Sequence, residues 1–356
     1  MICPEPILGD ILTLLRDEIA PIANQIDRDP EAMRKALAVL TQRDLMALRR
    51  PKEFGGPALS ESDFRLFQEE CARCSGAFAF LQTQHQSAVT MMAKWGSDSL
   101  KAEILPQMGN GERLVGIGFS QLRREGEPIM TATPTCDGIV LQGHVPWVTG
   151  WSFYSEFLVG AQLPDGRALF TLLPLATTEK ERGKIRVSQP MELAAMQGAQ
   201  TVVVEIEDWI ISDDEVAFLK RPGWIRENDM INLTLQAVFA LGCARAGLDV
   251  LLAAAEKKPN PVLIRAWEEL TEELDACRAM VMDQSIAGDK KLEARAWGID
   301  LAVRCAHAGV AASSGAANSL HHSAQRVYRE ALVFTVSAQT TPIMEATLKR
   351  LSLVRI

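Results

Sequence analysis

The stretch Leu141-Gln142-Gly143-His144-Val145-Pro146-Trp147-Val148-Thr149-Gly150 decides the fold. Behind it, Ile139 and Leu141 alternate after the turn pair Asp137-Gly138, so the run opens as a strand. The two-residue period returns at Phe157 and Val159, and again at Ala168, Phe170 and Leu172. Pro164-Asp165-Gly166 separates those two runs as a hairpin turn. Val202-Val203-Val204-Glu205-Ile206 adds a further strand before the turn Ser212-Asp213-Asp214. A β-region over 114–218 follows. Read from the residues alone, Trp147 and Thr149 are either a buried hairpin aromatic and a strand end, or a flat ring and a hydroxyl offered to a ligand.

Outside this region the period changes to three and four. Leu12, Leu15, Ile19 and Ile22 form an apolar stripe within residues 1–113, which read as helices. Pro51 and Gly55-Gly56 punctuate that zone. Further on, Met230, Leu233, Ala237, Leu241, Ala244, Leu248 and Leu251 keep a helical repeat. Pro259-Asn260-Pro261 ends that helix, and three more are expected over 262–286, 290–313 and from Ser323 onward, the last broken at Pro342. The expected class is α+β and mostly α. It comprises an N-terminal helical domain (1–113), a β-domain (114–218) and a C-terminal four-helix bundle (219–356).

With 47% hydrophobic and 23% charged residues, the 356-residue chain has enough apolar material for a large core. A net charge of -8 argues against nucleic-acid binding, which needs clustered Lys and Arg, and gives no reason to expect a membrane surface as partner. No run of about 20 apolar residues is evident, so no span is expected. Cys71-Ala72-Arg73-Cys74 lacks a second pair at zinc spacing and reads as two small helix residues. His321-His322 reads as helix capping, and no metal site is expected. An odd cysteine count, with no basic leader and apolar run at the start, leads us to expect a cytoplasmic protein.

The order of helices, β-domain and bundle, with several local motifs, resembles the acyl-CoA dehydrogenase family. The motifs include Arg50-Pro51-Lys52-Glu53-Phe54-Gly55-Gly56, Gln84-His85-Gln86-Ser87 and Gly116-Ile117-Gly118-Phe119-Ser120-Gln121. The opening stretch matches the family's Leu-Asn-Gly-x-Lys-x-Trp-Ile-Thr, and Arg326-Val327-Tyr328-Arg329-Glu330-Ala331 matches its Arg-Leu-x-Arg-Asp-Ala. The resemblance implies a β-barrel-like middle domain and an FAD cofactor. Ser120, Trp147, Thr149 and Thr340 would contact the flavin, and Gly315 would meet a neighbouring subunit's cofactor. It further implies an acyl-CoA substrate, a homodimer or homotetramer, and an electron-transfer partner.

Three departures qualify this expectation. Leu122-Arg123-Arg124-Glu125-Gly126 replaces the family's Gly-Ser-Asp loop, so Arg123 would substitute as a charge partner or stand as a surface residue. Glu256-Lys257-Lys258-Pro259-Asn260-Pro261 replaces an Arg-x-x-Phe-Gly segment, which suggests weaker FAD binding or the smaller FMN. The two places where the family keeps its catalytic Glu hold Ala338 and Asn232, and neither side chain can act as a carboxylate base. Glu227, Asp229 and Glu345 are the nearby acids. The alternatives are therefore a flavin-dependent monooxygenase on the same fold, which needs no such base, or a non-catalytic binding or scaffold protein.

Overall fold

A computed structural model describes residues 6–352, with side chains from residue 8. The chain opens with α1 (Pro6–Leu14), α2 (Ala23–Ile26), α3 (Pro30–Thr41), α4 (Glu61–Cys74), α5 (Gly76–Trp95) and α6 (Asp98–Ile104). Side-chain oxygens set where several of these begin. Asp29 accepts from Glu31 N ahead of Pro30, and Ser60 accepts from Asp63 N. Ser75 lies between α4 and α5 and accepts from Phe78 N, so two helices meet with one residue between them. In the Pro51–Gly56 turn, Gly55 takes a φ of 79°, and a Cβ on Gly56 would come 2.1 Å from the Arg50 carbonyl.

The strands are β1 (Val115–Gly118), β2 (Met130–Thr135), β3 (Gly138–Thr149), β4 (Glu156–Gln162), β5 (Ala168–Pro174), β6 (Thr178–Glu179), β7 (Lys184–Val187), β8 (Thr201–Ile211) and β9 (Val216–Lys220). They form one sheet in the order β6-β7-β8-β3-β2-β4-β5-β9, with β1 parallel beside β4. The two turn pairs act as their residues predict: Asp137-Gly138 leads from β2 into β3, and Asp165-Gly166 joins β4 to β5.

Five helices follow: α7 (Trp224–Lys257), α8 (Pro261–Met282), α9 (Gly288–Ser313), α10 (Ser323–Val336) and α11 (Thr341–Leu351). The fourth expected helix is thus two, separated just before Pro342. In the α7 stripe, Leu233, Ala237, Leu241, Ala244, Leu248 and Leu251 are buried, while Met230 at its start is exposed. Gly247 lets α7 approach α9 closely, since a Cβ there would fall 2.5 Å from the backbone of Ala306. His322 caps α10 by accepting from Ala324 N, as its position predicts.

One expectation fails. Helix α7 is long and apolar enough, by length and composition, to cross a bilayer. However, 72% of its most apolar window is buried inside the fold, so its apolarity serves the bundle core.

His85 joins α5 to the sheet. It is fully buried; Nε2 donates to the Met108 carbonyl at 2.9 Å, and Nδ1 accepts from Val115 N at 2.9 Å. Burial pushes its pKa down to about 4, against a weaker upward pull from the two carbonyls beside it. The unfolded chain therefore binds a proton that the folded chain refuses. The resulting stabilisation is complete above the ordinary histidine range near 6.5 and is lost as pH falls toward 4. Urea melts at pH 7 and pH 5 should differ by about 2 kcal/mol on this account. His85→Gln should flatten the dependence by that amount; an unchanged slope would show that other groups cause it.

Candidate functional site

Strand β1 lies against the second half of β3. A side chain at Gly118 would come 3.0 Å from Val145 Cγ1, and one at Gly116 would come 3.3 Å from the Thr149 carbonyl. β1 therefore runs opposite to β3, and Ser120, just past β1, follows on the side of Val145 away from Thr149.

The ladder between β3 and β8 explains where those side chains point. Val145 pairs with Val204 and Val148 with Val202, so β3 uses three steps where β8 uses two. Such a bulge re-aims a side chain, and Trp147 emerges 52% exposed beside the buried Val148. Thr149 stays buried, with its Oγ1 3.0 Å from Thr201 Oγ1. Ser120 Oγ is buried and, among the described residues, has no hydrogen-bond partner. An unpaired buried hydroxyl is costly, roughly 1–3 kcal/mol, so it marks a place where a polar ligand atom fits. An exposed indole, a buried hydroxyl pair and an unsatisfied hydroxyl are compatible with a flat heteroaromatic ring.

Thr340 precedes α11 and is half-buried, without a side-chain cap bond. Gly315 lies in an exposed turn, and a Cβ there would meet nothing within 4 Å. Among the described residues, no hydrogen bond links either to Ser120, Trp147 or Thr149.

Arg123 is committed elsewhere. Its Nε and Nη2 donate to the two carboxylate oxygens of Asp229 at 2.8 and 2.7 Å, and both side chains are mostly buried. The pair ties the segment after β1 to the first turns of α7. It occupies the charge considered for a phosphate and also the acid one turn before Asn232. Glu227 pairs with Arg221, and Glu345 is exposed on α11. Asn232 donates to the Asn228 carbonyl at 2.8 Å. Ala338 sits at φ 50°, in the left-handed region.

Behind Ala338 lies a residue that sequence reasoning missed. Arg295 is 1% exposed and has no carboxylate partner among the described ion pairs. It donates to the carbonyls of Gln236, Phe334 and Ser337, so the C-terminal carbonyls of α10 offset its charge. Burial lowers its pKa to about 10. No local motif announces it, because its partners lie on two other helices.

Asp229→Asn should cost about 1–2 kcal/mol by leaving Arg123 without its bidentate partner. It should also speed amide hydrogen exchange selectively in residues 119–128. Exchange that rises uniformly across the sheet would refute the tethering role.

Comparison with known proteins agrees with this fold. The model of the acyl-CoA dehydrogenase N-terminal domain matches residues 8–112. A 3-(aryl)acrylate reductase of Clostridium sporogenes is 21% identical, with 92% of each chain aligned. A probable acyl-CoA dehydrogenase of Bacillus subtilis is also 21% identical, with 94% of each aligned. Among solved structures, a glutaryl-CoA dehydrogenase of Mycobacterium smegmatis in complex with FADH2 superposes with a TM-score of 0.82. It is 14% identical, and the match covers 98% of this chain and 95% of that one. Residues 8–112 thus match the N-terminal domain of acyl-CoA dehydrogenases, and the whole chain has the fold of that family and aligns with its members along nearly its full length.

Proposed function

We propose that this chain is an FAD-dependent oxidoreductase acting on the CH–CH bond of an acyl thioester, working in the direction that reduces a conjugated double bond. The likeness to an arylacrylate reductase carries the direction. Oxidation needs a base to remove an α-proton, and neither Ala338 nor Asn232 ionises. In either direction water would have to carry the α-proton, because the group that removes it in oxidation is the one that returns it in reduction.

FAD, when bound, supplies the hydride-transfer centre. Trp147 would cover one ring face, Ser120 Oγ would gain the partner it lacks, and Thr149 would sit at the polar edge with Thr201 fixing its rotamer. The FADH2 complex of the mycobacterial relative supports FAD over FMN. Electrons would come from a separate electron-transfer partner.

A homo-oligomer fits the exposed apolar faces of the last helices. Tyr328, Leu332 and Val336 recur every fourth residue on α10, and Met344, Leu348 and Leu351 form a second stripe on α11. A second copy of the chain would cover them.

The full-length protein, incubated with FAD, should show the visible flavin absorption band, and Trp147→Ala should weaken FAD binding at least about tenfold. After anaerobic photoreduction, an α,β-unsaturated acyl-CoA should restore the band. A saturated acyl-CoA should leave the oxidised band unbleached. Bleaching by the saturated ester would overturn the direction. A band that neither ester moves would favour oxygen-dependent chemistry, and no band at all would leave a scaffold. Separately, light scattering should report a dimer or tetramer, with the mass falling for Leu332→Asp combined with Leu348→Asp. A wild-type monomer would reject the oligomer.

A further inference from the structure

A cleft of about 560 Å3 opens where the N-terminal helices, the loop before β8 and the start of α10 converge. Its floor is a closed ion pair. Asp27 is 1% exposed, accepts from Met196 N at 2.8 Å and from Arg329 Nη2 at 2.6 Å, and so has both oxygens engaged. The rim is different. The Arg28 side chain is 36% exposed, reaches Asp27 only at 3.7 Å, and makes one long hydrogen bond of 3.4 Å to Gln325. Gln197 spends its Oε1 on Leu193 N, which leaves its NH2 group pointing no bond at any described residue. The Asn318 carboxamide likewise has no hydrogen bond among the described residues.

The cleft therefore presents one under-used guanidinium and two carboxamide donors. Among the described residues Asp27 is its only lining carboxylate, and Arg329 already neutralises it. Exposed Leu320 adds an apolar wall at the mouth. Donors in excess of acceptors select an oxygen-rich anion, and guanidinium groups match phosphate oxygens in geometry as well as charge. The volume lies within the range of small-molecule sites, roughly 300–1,000 Å3, and exceeds what a bare inorganic ion fills.

We propose that this cleft binds a phosphate monoester of nucleotide size, with the phosphate on Arg28 and the organic part against Leu320. The site is separate from the flavin-facing group and does not depend on the reading given to it. It has a route to that group all the same. The loop that carries Gln197 continues to Ala199, whose carbonyl accepts from Gly150 N at 3.1 Å, and to Thr201, which meets Thr149. A ligand here would bridge all three layers of the fold and stabilise them together.

The test is calorimetric titration of the full-length protein with AMP at low salt, with and without saturating FAD. AMP should bind saturably, with equal affinity in both cases. Arg28→Ala should weaken binding about tenfold while the protein still unfolds in a single cooperative thermal transition. Leu320→Ser should weaken AMP binding but not binding of inorganic phosphate. Absence of saturable binding, competition by FAD, indifference to Arg28→Ala, or inorganic phosphate binding as tightly as AMP would each overturn the proposal.

Discussion

Glu330 is fully buried, and its carboxylate is where the layers of this molecule meet. It accepts from Gly76 N at 3.0 Å, in the first turn of α5, and both its oxygens accept from Arg326 Nη1 at 2.9 Å. Burial pushes the Glu330 carboxyl up, and Arg326 with the Gly76 amide pulls it back. Arg326 also donates through Nε to Asn24, and Arg329, nearly one turn on, reaches Asp27 and the Ala194 carbonyl. One face of α10 thus touches the N-terminal helices and the loop before β8. Losing one partner of such a buried pair costs about 3–5 kcal/mol, because the other charge is left without compensation. Gly76 is bound to the same joint: a Cβ there would stand 2.7 Å from the Glu330 carboxyl carbon.

A second set of buried acids fixes α4 against its neighbours. Glu69 takes Arg278 at 2.9 Å and Arg245 at 3.2 Å; Glu70 takes Arg16 at 2.7 Å and Arg245 at 3.1 Å. Burial alone would raise Glu70, yet Arg16, Arg245 and Arg73 hold it below the usual carboxylate range. Since Arg245 is on α7 and Arg278 on α8, this network sets the rotation of α7. The rotation in turn decides that Asp229 faces Arg123, and the Arg123 pair closes the segment that follows β1.

Local pattern made the architecture readable. Two-residue alternation bounded by Asp-Gly turns marked β3 to β5, and the stripe from Leu233 to Leu251 marked the bundle core. What escaped was set by distant partners. The exposure of Trp147 depends on a bulge defined only by its register against β8. Arg123 and Asp229 are 106 residues apart, so no spacing could reveal that they neutralise each other. The apolarity of α7 is hard to see in the sequence because Gly, Ala and Thr interrupt its larger side chains. Averaged over a helix these small residues still leave an apolar cylinder, and the same small residues let α9 come close.

Two features bear on whether the site still holds a ligand. A buried hydroxyl without a partner and a half-exposed indole on a bulge each cost stability in a bare protein, the first by roughly 1–3 kcal/mol. Neither is required by the fold. A smaller residue at 120 would remove the unsatisfied oxygen, and a polar residue at 147 would suit solvent. The base positions show the opposite behaviour: Ala338 and Asn232 have no ionisable group left to maintain. A buried hydroxyl without a partner and an accessible indole, beside two positions with no ionisable group, are compatible with a site that takes a flat ligand and leaves proton transfer to water.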